Sequence, residues 1–276
     1  MSTGAGDKKA AMPVYVAAGV ALTCITLLFV MIPAFALPVL LQKGSGGVFS
    51  WNWQPYRGEF GILPMLTGSL LLSFSTLLTA WPLSLAICCW TLDRKPGALH
   101  SLTQGLLRFM TAIPTVVYGF AAVFLLTPLI RSGLGGSGMC WLGAALMLTL
   151  SVPEHLRLTA FSLGMNREQY LRHVALPSAG RGIWSGVMLA VGRSAEDTAV
   201  IMLTGVVANA GLPAGITAKF EALPFAVYYI AAQYRNQQEL MTGFGAALLL
   251  LLLAGGMVLA AGRIEAGYQR RWAGNN

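Results

Sequence analysis

A chain of 276 residues that is 56% hydrophobic, 10% charged and has a mean hydropathy of +0.66 does not have the composition of a soluble domain. It has that of an all-α integral membrane protein, with polar connections too short for a separate soluble domain, so residues 1–276 are expected to form one transmembrane domain. The net charge of +8 does not mark a nucleic-acid binder: no basic run is interleaved with aromatics, and basic loops are what membrane topology demands.

Measured against a spanning length of about 20 residues, six apolar segments stand out, at 14–41, 64–92, 106–130, 139–153, 183–207 and 240–261. The first follows Lys8 and Lys9 and contains AFA at 34–36, as a cleaved signal peptide would. Its apolar run is longer than a signal core, which favours a retained helix. The stretch 43–63 is rich in Gly and aromatics, as an interfacial segment should be. The fourth segment, MCWLGAALMLTLSVP, is short: about 15 residues make roughly 22 Å of helix against a hydrocarbon core of about 30 Å. It extends into its flanks, thins the membrane locally or stops short of spanning. Residues 208–239 form the longest outer connection, and their Pro, Gly and Tyr content predicts ordered turns or a short re-entrant piece. Cys24, Cys88, Cys89 and Cys140 all lie in apolar runs without CxxC spacing and act as small hydrophobes.

Charge sets the orientation. With the N-terminus inside, twelve of the 18 Lys and Arg residues fall on the cytoplasmic side and five outside, namely Lys43, Arg57, Arg131, Lys219 and Arg235. Arg193 is left within the membrane. This asymmetry places both termini in the cytoplasm.

The third inside loop, 154–182, is punctuated like two short helices. Pro153 opens the first and Gly164 closes it; Asn166 stands three residues before Gln169, the spacing of a capping-box start; Pro177 stops the second. A helix–turn–helix at the cytoplasmic face follows.

The fifth segment raises a harder question, because Arg193, Glu196 and Asp197 interrupt it. Three ionised groups cost about 2.5–3.5 kcal/mol each on insertion scales, while its Leu, Ile and Val residues return roughly 0.3–0.6 kcal/mol each. Apolarity does not offset the charges, so the segment needs bundle partners or an aqueous path. On a continuous helix Glu196 and Asp197 lie at i+3 and i+4 from Arg193 and flank its side chain. An arginine offers planar, bidentate donors to an oxyanion, and nearby carboxylates weaken its grip enough for release. The same three residues also suit a buried salt bridge that fixes helix register. His100, His155 and His173 lie in or beside cytoplasmic loops and form no metal-ligand set, and there is no GxxxxGK[ST] phosphate loop, so any ATP must be hydrolysed on another chain.

VPEHLRLTAFSLGMNREQYLRHVALP resembles the EAA loop of ATP-binding-cassette (ABC) importer permeases, with Ala160, Gly164, Leu176 and Pro177 where that pattern wants them and Leu158 in place of its glutamate. EFGILPMLTGSLLLS (59–73), RFMTAIPTVVYGFAAVFLLTPLIR (108–131) and GRSAEDTAVIMLTG (192–205) resemble permeases of the phosphate-specific (Pst) importer, the first being closer to the C-type permease than to its A-type partner. In the Pst pattern G-R-A-x-G-E-T, Asp197 takes the glutamate position, Thr198 the threonine, and Glu196 replaces a glycine. The family also has an acidic stretch before VPEHL that is absent here.

The resemblance implies a type I importer permease: about six transmembrane helices with a cytoplasmic coupling loop, in the bacterial plasma (inner) membrane. Ala160, Gly164, Leu176 and Pro177 would dock a cytoplasmic ATPase dimer, which carries the ATP; this chain itself would bind no cofactor and catalyse nothing. A second permease subunit, a periplasmic or extracellular phosphate-binding protein and membrane lipid are the implied partners, and Arg193, Glu196, Asp197 and Thr198 the implied pathway for inorganic phosphate. Phosphonate or another oxyanion would suit the same arginine. A proton-coupled secondary transporter using Glu196 or Asp197, and a non-transporting membrane scaffold, are the competing classes.

Overall fold

The computed structural model describes residues 6–41, 47–93, 97–151, 192 and 197–273. Within them the chain is mostly helical, with one small hairpin and the turns that join the helices. Helix α1 (Gly6–Leu40) is apolar on every side and packs chiefly against the last helix, so most of its surface faces outward. Its threonine hydroxyls are satisfied internally: Thr23 and Thr26 donate to the carbonyls of Gly19 and Leu22, each at 2.8 Å. Such back-bonding lets a polar side chain sit where no water can reach it.

The Gly- and aromatic-rich stretch after α1 folds back as an antiparallel hairpin. Strand β1 (Trp53–Gln54) pairs with β2 (Glu59–Phe60), Trp53 opposite Phe60, across a single 3₁₀ turn at Pro55–Arg57. Gly58 closes that turn at φ 75°, in the left-handed region that a side chain resists. One face of the hairpin is buried: Val48, Trp53 and Phe60 pack with Val39 of α1 and Met65 of the next helix.

Helix α2 (Leu63–Asp93) follows, then α3 (Ala98–Ala112). The apolar segment 106–130 was expected to be one span; the structure divides it. Pro114 disfavours helical geometry at Ile113, and a new helix begins at Thr115. It runs as α4 (Thr115–Ala121), a π-helical turn at Ala122–Leu126, and α5 (Thr127–Leu134). The widened turn stands directly before Pro128, whose missing N–H leaves the Phe124 carbonyl without its ordinary helical partner.

The short fourth segment forms α6 (Trp141–Ser151), bonded to α2 through the hydroxyls of Thr79 and Thr149. Of the fifth, Gly192 and the end are described, the end as α7 (Thr198–Thr204). Turns then lead to α8 (Leu223–Gln233) and to the long α9 (Gln237–Ala273). The start of α9 is tightly specified: Asn236 Oδ1 accepts from the Glu239 N–H at 2.7 Å, and Glu239 reaches back to the Arg235 N–H at 2.9 Å.

Among the described residues four stretches are long and apolar enough to cross a membrane: Met12–Leu40, Leu63–Leu83, Thr115–Leu134 and Gln237–Ala260. The chain is therefore a multi-pass membrane protein. The connection 208–239, expected to hold turns or a short re-entrant piece, holds turns and the 11-residue α8, which buries Leu223, Pro224, Ala226 and Ile230. The helix–turn–helix expected over 154–182 lies outside the described residues.

Candidate functional site

The charged stretch Arg193–Asp197 is bracketed by two anchored points. On one side Gly192 is buried, and a methyl group at its Cα would stand 3.6 Å from Cβ of Met257 in α9. On the other, Asp197 caps α7, its Oδ1 accepting from the Val200 N–H at 3.2 Å. Asp197 has φ −73° and ψ 85° and so stands outside helical geometry. This corrects the continuous helix assumed above: no unbroken helix runs through Asp197 into α7, which starts afresh at Thr198. The physical reason is in its own side chain, since a carboxylate satisfies the free N–H groups of a helix start better than it packs within one. Thr198 is the first residue of α7 and half-buried. Arg193 and Glu196, like the docking positions Ala160, Gly164, Leu176 and Pro177, lie outside the described residues.

Helix α7 is set deep in the bundle. Val200 and Ile201 are 1% exposed and pack with Leu148 of α6, Leu72 of α2 and Ala122 of the π turn. Thr204 Oγ1 donates to the Val200 carbonyl at 2.7 Å, while the Thr204 carbonyl accepts from the Cys140 N–H at 2.8 Å. The next two donors at the start of α6 are met in the same way, Trp141 by the Ala218 carbonyl and Leu142 by that of Ile216, both at 3.0 Å. The exposed backbone of one helix end is thus covered by the chain that leaves α7. Cys140 is fully buried here, as a small hydrophobe would be.

A buried acid that sequence reasoning missed holds this connection. Glu221, 3% exposed, accepts through Oε1 from the Asn209 N–H, while its own N–H donates to the Gly211 carbonyl at 3.0 Å. Asn209 adopts φ 61° and Gly211 φ 67°, which turns the backbone of 209–211 around the carboxyl group. Two residues on, the Leu223 N–H donates to Ser69 Oγ of α2 at 2.8 Å. Nothing in KFEALP distinguishes Glu221 from an ordinary loop acid, because its burial comes from tertiary packing.

Burial pushes the Glu221 carboxyl above its usual range, partly offset by the N–H groups of Asn209, Gly211 and Ala210. A raised folded-state value means that the fold favours the protonated acid. The stability so gained is present below the ordinary carboxylate range and is lost as pH rises through the folded value. Glu221→Gln is neutral throughout and keeps an acceptor oxygen, so its melting temperature in detergent should fall less than wild type over that rise. Parallel pH profiles for the two proteins would contradict this account.

No protein-family model matches the chain. It is similar to the probable ABC transporter permease protein YqgH of Bacillus subtilis, 30% identical over 175 residues that make up 56% of this chain and 57% of that protein. It is also similar to the phosphate transport system permease protein PstC of Pasteurella multocida, at 25% identity over 66% of this chain and 70% of the relative. The probable phosphate transport system permease protein PstA of Methanocaldococcus jannaschii is 25% identical over 79% and 78%. The match to YqgH therefore spans less than two thirds of that relative's length. These likenesses place the chain beside the permease subunits of ABC transporters. More narrowly, it resembles the Pst-type phosphate permeases, as its motifs implied.

Proposed function

We propose that this chain is the transmembrane permease subunit of an ABC importer that moves inorganic phosphate into the cytoplasm. The observation that carries the proposal is its similarity to PstC and PstA permeases over 66% and 79% of its length, in a chain with several membrane-crossing helices. In this reading six segments span the inner membrane with both termini in the cytoplasm. The 154–182 loop, through Ala160, Gly164, Leu176 and Pro177, docks an ATPase dimer that hydrolyses the ATP. A second permease completes the pathway, and a periplasmic binding protein delivers the anion.

The chemistry follows from the charges. Phosphate leaving water needs a fixed cation, and the Arg193 guanidinium supplies paired donors that stay charged at any working pH. Glu196 and Asp197 are its counter-ions while the site is empty and prevent it from becoming a trap. The Asp197 carboxylate also caps α7, so a displacement of α7 moves a charge of the pathway with it.

The test is initial phosphate uptake in cells lacking other phosphate importers, with this chain expressed beside its ATPase, second permease and binding protein. Uptake should vanish when the ATPase is inactivated and persist when the proton gradient alone is collapsed. The reverse pattern would identify a proton-coupled carrier instead.

A further inference from the structure

The hairpin between α1 and α2 has a second face that the bundle does not use. While Trp53 and Phe60 are buried, Phe49, Trp51 and Tyr56 are 53%, 55% and 81% exposed. Arg57 is exposed beside them, and the Arg235 guanidinium lies over the Tyr56 ring, 4.5 Å from its centroid. Tyr234, next to that arginine, is also half-exposed. Rings of this kind are costly to leave in water, and two arginines are costly to place in hydrocarbon.

The position of the patch resolves the conflict. The hairpin follows the last turn of α1 and precedes the first turn of α2, and Arg235 lies between the end of α8 and the start of α9. Val48 packs with Val39 near the end of α1 and with Ala246 in the early turns of α9. Three of the four apolar stretches long enough to cross a membrane thus have an end beside this hairpin. Where spanning helices end, the bilayer offers a layer that is apolar on one side and phosphate-bearing on the other, which suits Trp, Tyr and Arg together.

We propose that the outward face of the hairpin is a lipid-contact surface, with Phe49, Trp51 and Tyr56 seated among the glycerol and headgroup atoms of one leaflet and Arg57 and Arg235 on lipid phosphates. Cation–π stacking holds Arg235 over Tyr56, so a charge and a ring are presented as one unit. This fixes the depth of the bundle at one membrane surface, and it depends on membrane insertion alone, not on the identity of the cargo.

The experiment uses the whole chain reconstituted into vesicles of phosphatidylcholine and phosphatidylglycerol, and reads the tryptophan emission that wild type has and Trp51→Phe lacks. That increment should be lost in lipid brominated near the glycerol, largely retained in lipid brominated near the chain ends, and insensitive to aqueous iodide. Quenching by iodide with both brominated lipids ineffective would overturn the proposal and leave the face open to a soluble protein. Strongest quenching by chain-end bromine would overturn it too, by placing the hairpin in the hydrocarbon. Tyr56→Trp, read as emission gained over wild type, reports on the same face if Trp51→Phe lowers the yield of folded protein.

Discussion

Arg193→Gln is expected to abolish phosphate uptake while the assembled complex remains detectable. Glutamine keeps polar contacts but loses the fixed charge, so an anion has nothing to exchange for its hydration on entering the membrane. Arg193→Lys should retain part of the activity, since an ammonium supplies charge without the bidentate fork. The cap at Asp197 gives a sharper comparison than charge removal alone. Asparagine caps a helix about as well as aspartate, so Asp197→Asn should leave stability and assembly intact while it removes one counter-ion. Slower turnover with normal assembly would place Asp197 in the pathway, whereas unchanged uptake would reduce it to a cap. Glu196→Gly restores the residue of the Pst pattern, and equal or greater uptake is expected from it. All are read as initial uptake normalised to the amount of complex. Wild-type uptake by Arg193→Gln would remove the pathway assignment, and loss of assembly instead would make the arginine a structural ion-pair partner.

Gly68→Ala should unfold the region around α7 and α8. A methyl group on Gly68 would overlap the Glu221 carbonyl oxygen, a backbone atom that cannot rotate away. Its neighbour Ser69 holds the Leu223 N–H, so the strain falls where α2 receives the incoming chain. Overpacking in a well-filled core costs about 1–3 kcal/mol, and a backbone collision belongs at the upper end or beyond. Gly133→Ala is the matched control, since nothing lies within 4 Å of its added methyl. It should be neutral or slightly stabilising, as alanine is the better helix former. Melting in detergent, followed by the fraction that remains monodisperse, separates the two. Equal melting temperatures would mean that α2 and the 221–223 segment do not meet as described.

Helices α1, α2 and α9 were legible because each is an unbroken apolar run longer than the membrane is thick, and composition alone marks such runs. Pro114 was equally visible, but the apolar residues on both sides of it masked a break that the backbone does make. Helix α8 is 11 residues long, and in sequence its Pro224, Tyr228 and Tyr229 read as loop as readily as helix. At the candidate site the residue types were legible and part of the geometry was not. An acid before TAVIML is a helix-start signal, yet the spacing from Arg193 suggested one helix running through it. Glu221 could not be found from sequence, because what makes it unusual is contributed by Asn209–Gly211 and by the depth of its burial.

The bonding at the start of α6 bears on how the protein is made. Cys140, Trp141 and Leu142 donate to carbonyls of Thr204, Ala218 and Ile216, all of which leave the ribosome well after α6 itself. Until that later chain arrives, the helix has three amide hydrogens without their final partners. Biogenesis must therefore pass through an unfinished bundle that is held by the insertion machinery or by water at the membrane surface. A ribosome that stalls before residue 216 would leave a chain whose early helices are all present and whose sixth cannot settle, a ready mark for membrane proteases.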